Sequence, residues 1–142
     1  MTRTAANPPT TETDAVLAVN LEFYRAFGTA NFPAMDALWA RRAQVLCLHP
    51  GWPALVGRDA VMASWSELFD SERGEFRILC HDERVFLYDG FAVVLCEEEV
   101  PGGTLAATNL FVCEDGAWRL VHHQASAIIP QYHAGGGSDR LH

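Results

Sequence analysis

Apolar residues along this chain fall into two periodicities, one for each half. From Ala15 to Phe27, Val16, Val19, Phe23 and Phe27 recur at spacings of three and four, which predicts a helix burying one face. Asp14 is the expected cap, and Gly28 the stop. Asn31 is the expected cap of a short second helix, with Pro33 tolerated in its first turn and Met35, Leu38 and Trp39 turned inward. QVLCLH then predicts a strand, and PGWPALVG a loop. A third helix is expected from about Arg58, burying Val61, Met62, Trp65, Leu68 and Phe69.

Beyond SERGE the period shortens to that of strands. EFRILCHDERVFLYD, FAVVLCEEEV, TLAATNLFVCE and AWRLVHHQASAI are separated by Asp89-Gly90, Gly102-Gly103 and Asp115-Gly116, which are hairpin signals. Helices first and a meander second imply an α+β domain with the helices on one face of the sheet. That domain is expected over residues 14–130, with residues 1–13 and the glycine-rich 131–142 flexible. The strand FAVVLCEEEV is apolar on both parities, so a second apolar face needs cover. A homodimer through that outer sheet face is the expectation. The run Glu97-Glu98-Glu99 reads as the point where this strand leaves the core for solvent.

Composition narrows the classes. At 142 residues, with 49% hydrophobic and 11% aromatic content, the chain is expected to be one globular domain. A net charge of −8 argues against a nucleic-acid partner, because phosphates need a basic face. All ten basic residues are arginine, so Schiff-base chemistry on a lysine is excluded. Cys47, Cys80, Cys96 and Cys113 sit in apolar runs with no C-x-x-C pair, and are expected as buried free thiols in a reducing cytoplasm. No apolar run is long enough for a membrane span or a signal peptide. No cofactor is implied, and the histidines and acids lack the spacing of a metal site.

The candidate chemistry lies with histidine and amide. His49, at the end of the first strand, has an intrinsic pKa suited to acid/base work near neutrality. Asn109 interrupts an apolar strand, so its amide must bond a neighbour or a ligand. In WRLVHHQAS, His122 and His123 face opposite ways. Strict alternation puts Trp118, Leu120, His122 and Gln124 on one face and His123 with Ala125 on the other.

Three stretches, AFGTANFPAMDALWA, CLHPGWPALVGRDAVMASW and DGAWRLVHHQAS, carry a resemblance. The chain resembles the SnoaL-like group of the nuclear transport factor 2-like superfamily, over about residues 14–128. Its W-x-x-V-H ending is also similar to the association domain of calcium/calmodulin-dependent kinases. The resemblance implies a cystatin-like cone: three N-terminal helices on one face of a curved, mostly antiparallel sheet, with a pocket at the open end. In steroid isomerases of this fold, the base precedes a proline after the first strand, which falls here at His49-Pro50. Their second aspartate falls at Asn109 and their tyrosine at Phe23, beside Tyr24. Phe23 cannot donate a hydrogen bond, so their oxyanion hole is absent in its usual form, and no position matches the acidic residue of the cyclases. The last strand of the kinase domains puts its pocket residue at Ala125, hence His123 toward the cavity and His122 toward the dimer face. The expected site thus has His49 as acid/base, Asn109 and His123 orienting, and Phe23, Tyr24, Phe27, Trp52, Trp65 and Phe111 as ligand-binding wall. The expected partner is a small apolar, carbonyl- or carboxylate-bearing ligand. The chemistry would be proton transfer of the isomerase or dehydratase kind, the alternative being a non-catalytic binding or assembly module.

Overall fold

A computed structural model describes residues 11–72 and 77–132, except the side chain of Glu72. The expected flexible ends fall mostly outside the described residues. Helix α1 spans Glu12–Gly28, and its cap is Thr11 rather than Asp14. Thr11 Oγ1 accepts from the Asp14 amide at 3.0 Å while Asp14 Oδ2 accepts from the Thr11 amide at 3.4 Å. Asp14 therefore closes the capping box from three positions inside the helix. Helix α2, Phe32–Leu38, is capped by Asn31 Oδ1, which accepts from Ala34 N at 3.1 Å. Helix α3 covers Arg58–Glu72. Arg58 ties α3 to α2, donating to Asp36 Oδ1 at 2.6 Å and to the carbonyls of Asp36, Trp39 and Ala40. Among the described residues no helix is long and apolar enough to cross a membrane.

Strands β1 Leu46–Leu48, β2 Leu55–Val56, β3 Leu79–Tyr88, β4 Phe91–Val100, β5 Gly103–Glu114 and β6 Ala117–Ala127 form one sheet in the order β2-β1-β6-β5-β4-β3. The loop PGWPALVG thus contributes a short strand of its own. The meander β3 to β6 is antiparallel, while β1 runs parallel to β6. At Asp115-Gly116 both residues take positive φ, 53° and 79°, as a two-residue turn with strand-matched twist requires.

The helices lie against one face of the sheet, where Phe23, Trp39, Trp65, Phe111 and Leu120 are fully buried. On β4 the inward set is Ala92, Val94, Cys96 and Glu98, all buried, alternating with half-buried Phe91, Val93, Leu95 and Glu97. On β6 strict alternation fails. Leu110 pairs with His122 but Phe111 pairs with Leu120, so Val121 is an extra residue in the ladder. The bulge changes phase, and Leu120 and His123 end up on the same inner face. Two cysteines differ from expectation: Cys113 is exposed near the end of β5, and Cys80 is only half-buried, its sulfur 3.9 Å from Asn20 Nδ2 on α1.

Candidate active site

Register brings the polar groups together. Cys47 on β1 pairs with His123 on β6, which pairs with Asn109 on β5, which pairs with Val94 on β4. Two residues beyond Cys47 on the same face stands His49, just past the end of β1. Two residues beyond Cys96 stands Glu98. The row between is Cys96, Ala107 and Ala125, all buried. A cavity of about 390 Å³ opens beyond this row, at the end of the sheet away from the β5–β6 turn. His49 from just past β1, Glu98 from β4 and His123 from β6 meet it, with Phe27, Ile78, Val100 and Leu105 as apolar wall.

Behind the wall runs a buried polar chain. Asn20 on α1 accepts from Asn109 Nδ2 at 2.9 Å, and the same amide donates to Tyr24 OH at 3.2 Å. Tyr24 OH donates to Glu98 Oε2 at 2.6 Å. Asn109 Oδ1 lies 2.6 Å from His123 Nδ1. An amide oxygen only accepts, so Nδ1 carries the hydrogen and Nε2 is left as a bare base. That Nε2 faces Glu98 Oε2 at 3.9 Å. On the other wall, Ser64 donates to Val61 O at 2.6 Å, so it accepts from His49 Nε2 at 2.8 Å. His49 therefore presents Nδ1 as its unprotonated nitrogen.

Burial decides the charges. It pushes the Glu98 carboxyl up to about 7, only partly offset by the Tyr24 hydrogen bond. It pulls His49 down to about 4. His123 falls to about 3, again from burial first, then from His49 and His122. The Tyr24 phenol is held protonated by burial and by the neighbouring Glu98 carboxylate. Below about pH 7, Glu98 and His123 are thus a neutral acid beside a neutral base, not an ion pair. A carboxyl that titrates near the working pH is the form in which one group both takes and returns a proton.

Glu98 was not anticipated from sequence, where the triple glutamate read as an exit to solvent. It is 1% exposed. The signal was available in the phase of β4, since Glu98 is in step with Ala92, Val94 and Cys96. Of the expected residues, His49, His123 and Phe27 meet the cavity, while Asn109 stands one layer behind His123 and is occupied by neighbours. Phe23, Trp65 and Phe111 are wholly in the core. Trp65 packs edge-on to His49 at 4.7 Å and Phe23 lies 4.9 Å from His123, so both hold the imidazoles in place. Half-buried Trp52 backs His49 at 4.9 Å. Tyr24 serves the polar chain. His122 is half-buried on the outer face.

Comparison with known proteins agrees with this architecture. Residues 16–130 match the family model of the SnoaL-like domain. The F-box protein SKIP8 of Arabidopsis thaliana is 29% identical over 118 residues, which is 82% of this chain and 51% of that protein, so the chain spans about half of its length. A candidate dehydratase of the NTF2-like family from Streptomyces avermitilis superposes with a TM-score of 0.77 at 27% identity, over 86% of this chain and 99% of that one. A candidate calcium/calmodulin-dependent protein kinase type II association domain from Thiobacillus denitrificans gives 0.70 at 30%, over 79% and 94%. The fold is the cystatin-like α+β cone of that superfamily.

Proposed function

The chain belongs to the SnoaL-like domain family, and on that premise we propose that it binds a small molecule in the cavity and moves a proton on it. The observation that carries this reading is Glu98: a buried carboxyl, raised to about 7, on the wall of a 390 Å³ cavity beside two neutral imidazoles. Ionised Glu98 takes a proton from carbon next to a carbonyl and either returns it further along, as in isomerisation, or gives it to a neighbouring hydroxyl that leaves as water while the double bond forms, as in dehydration. Tyr24 donates to the carboxylate while it is ionised, and His123 Nε2 is poised to accept from the carboxyl once it is protonated. Asn109 and Asn20 act behind them, fixing the His123 tautomer. His49, the base suggested by sequence, is the second acid/base group on the opposite wall. Kinship with the Streptomyces candidate dehydratase supports the reaction class.

Conversion of a β,γ-unsaturated cyclohexenone to its conjugated isomer, followed by absorbance, tests this. Glu98→Gln should reduce the rate to background and His49→Gln should reduce it partly. A rate untouched by Glu98→Gln would remove the basis for catalysis at this carboxyl.

The outer sheet face favours a homodimer. Phe86 and Tyr88 are exposed there at 41% and 55%, next to half-buried Phe91, Val93, Leu95, Leu110 and Val112. A patch of this kind is rarely left to water. Kinship with the association domain, at 30% identity, supports the same assembly and the alternative of a purely binding module. Sedimentation at micromolar concentration should give a dimer that Tyr88→Glu dissociates.

A further inference from the structure

The cavity is not uniform in charge. Its depth holds Glu98, His49 and His123, whose uncharged forms are favoured by burial, whereas Arg77 lies on its rim. A guanidinium stays charged at every relevant pH. Arg77 sits in the connection that leads into β3 and shares a shallow surface groove with Glu99, Val100 and Pro101. Of the three glutamates of β4, Glu98 shares the cavity with Arg77, while Glu97 and Glu99 belong to the other parity. Glu99 Oε2 lies 3.6 Å from His81 Nε2, so it is turned along the outer face rather than into the cavity. Among the described residues, no carboxylate forms an ion pair with Arg77. The whole chain carries a net charge of −8, so a nonspecific attraction for anions is absent and any affinity for one must come from a placed cation.

Between rim and depth the wall is apolar, formed by Phe27, Ile78, Val100 and Leu105. We infer that the ligand of this cavity is a small monocarboxylate: its carboxylate is held at the rim by Arg77, its apolar body lies along Phe27, Ile78 and Leu105, and its reactive carbon is presented to Glu98. This inference rests on the reading of the cavity as a binding site, and it adds the substrate class. Arg77 is a specificity and positioning residue in it. The guanidinium fork matches a carboxylate bidentately, which fixes one end of the ligand, and a fixed end is what brings a particular carbon to Glu98.

Titration calorimetry with 3-phenylpropionate and with 3-phenylpropanol, on wild type, Arg77→Gln, Arg77→Lys and Leu105→Trp, tests the inference. The acid should bind wild type about tenfold more tightly than the alcohol. Arg77→Gln should abolish that preference and leave the alcohol unchanged, Arg77→Lys should keep part of it, and Leu105→Trp should weaken both probes by filling the cavity. If the alcohol binds as well as the acid, or Arg77→Gln keeps the preference, the monocarboxylate inference fails while the cavity reading stands. If neither probe binds wild type, or Leu105→Trp leaves both unaffected, the cavity reading fails and the inference with it.

Discussion

Two glutamates on the meander, Glu98 on β4 and Glu114 at the end of β5, are both buried, at 1% and 7% exposure. They end in opposite electrostatic states. Glu114 accepts three backbone amides, from Arg41 at 2.9 Å, Arg42 at 3.0 Å and Ala43 at 2.8 Å, and these hold its carboxyl below the usual range. Glu98 accepts from the Tyr24 phenol at 2.6 Å, and its carboxyl rises to about 7. Burial alone does not make a carboxylate reactive. What matters is how much of its charge the surroundings leave unanswered. Glu114 pins the segment after α2 to the sheet, whereas Glu98 is left with a proton to exchange.

The contrast has consequences of graded size. Glu114→Ala leaves three amides without their acceptor and should cost about 3 kcal/mol in urea unfolding, since hydrogen bonds to a charged group are the strong ones. Full stability in that variant would mean the segment Arg41–Ala43 is held by something else. Glu98→Gln should do the reverse at pH 8, stabilising by about 2 kcal/mol because a neutral amide no longer has to be buried as an anion. The signs are opposite along the pH axis. The folded form of Glu98 binds its proton more tightly than the unfolded form, so stability falls as pH rises from 4.5 through about 7. Glu114 binds its proton less tightly when folded, so its contribution is present above 4.5 and is lost as pH falls through its lowered folded value. His49 and His123 also lose stability on acidification below 6.5, as the unfolded imidazoles take up protons that the folded ones refuse. The smallest effect is Tyr24→Phe. It removes the donor that favours ionised Glu98, and should raise the Glu98 midpoint by on the order of one unit in a proton titration.

Local signals carried the fold. Helical spacing around Phe23 and Trp65 and the Asp-Gly turns correctly implied three helices followed by a meander, because each depends on neighbours in sequence. Parallel pairing of β1 with β6 joins residues some 76 positions apart, such as Cys47 and His123, and no local pattern announces it. The site was legible only in part. His49 and His123 stood out as imidazoles in apolar strands. Glu98 was hidden by its neighbours: three adjacent glutamates look solvated as a group, although alternation sends the middle one inward with Cys96 and the outer two away. The Val121 bulge shows the opposite hazard, since parity counted from Trp118 misplaces Leu120 relative to His123. Arg77 carries no periodic signal, and it stands two residues ahead of β3.

The state of Glu98 is the claim on which both the proton-transfer reading and the contrast with Glu114 depend. Carbon-13 NMR of the side-chain carboxyl groups, followed from pH 4 to pH 9 with Glu98→Gln to assign the resonance, reads it directly. The account predicts a midpoint near 7 that disappears in the variant. A Glu98 midpoint at or below the ordinary 4.5 would contradict it.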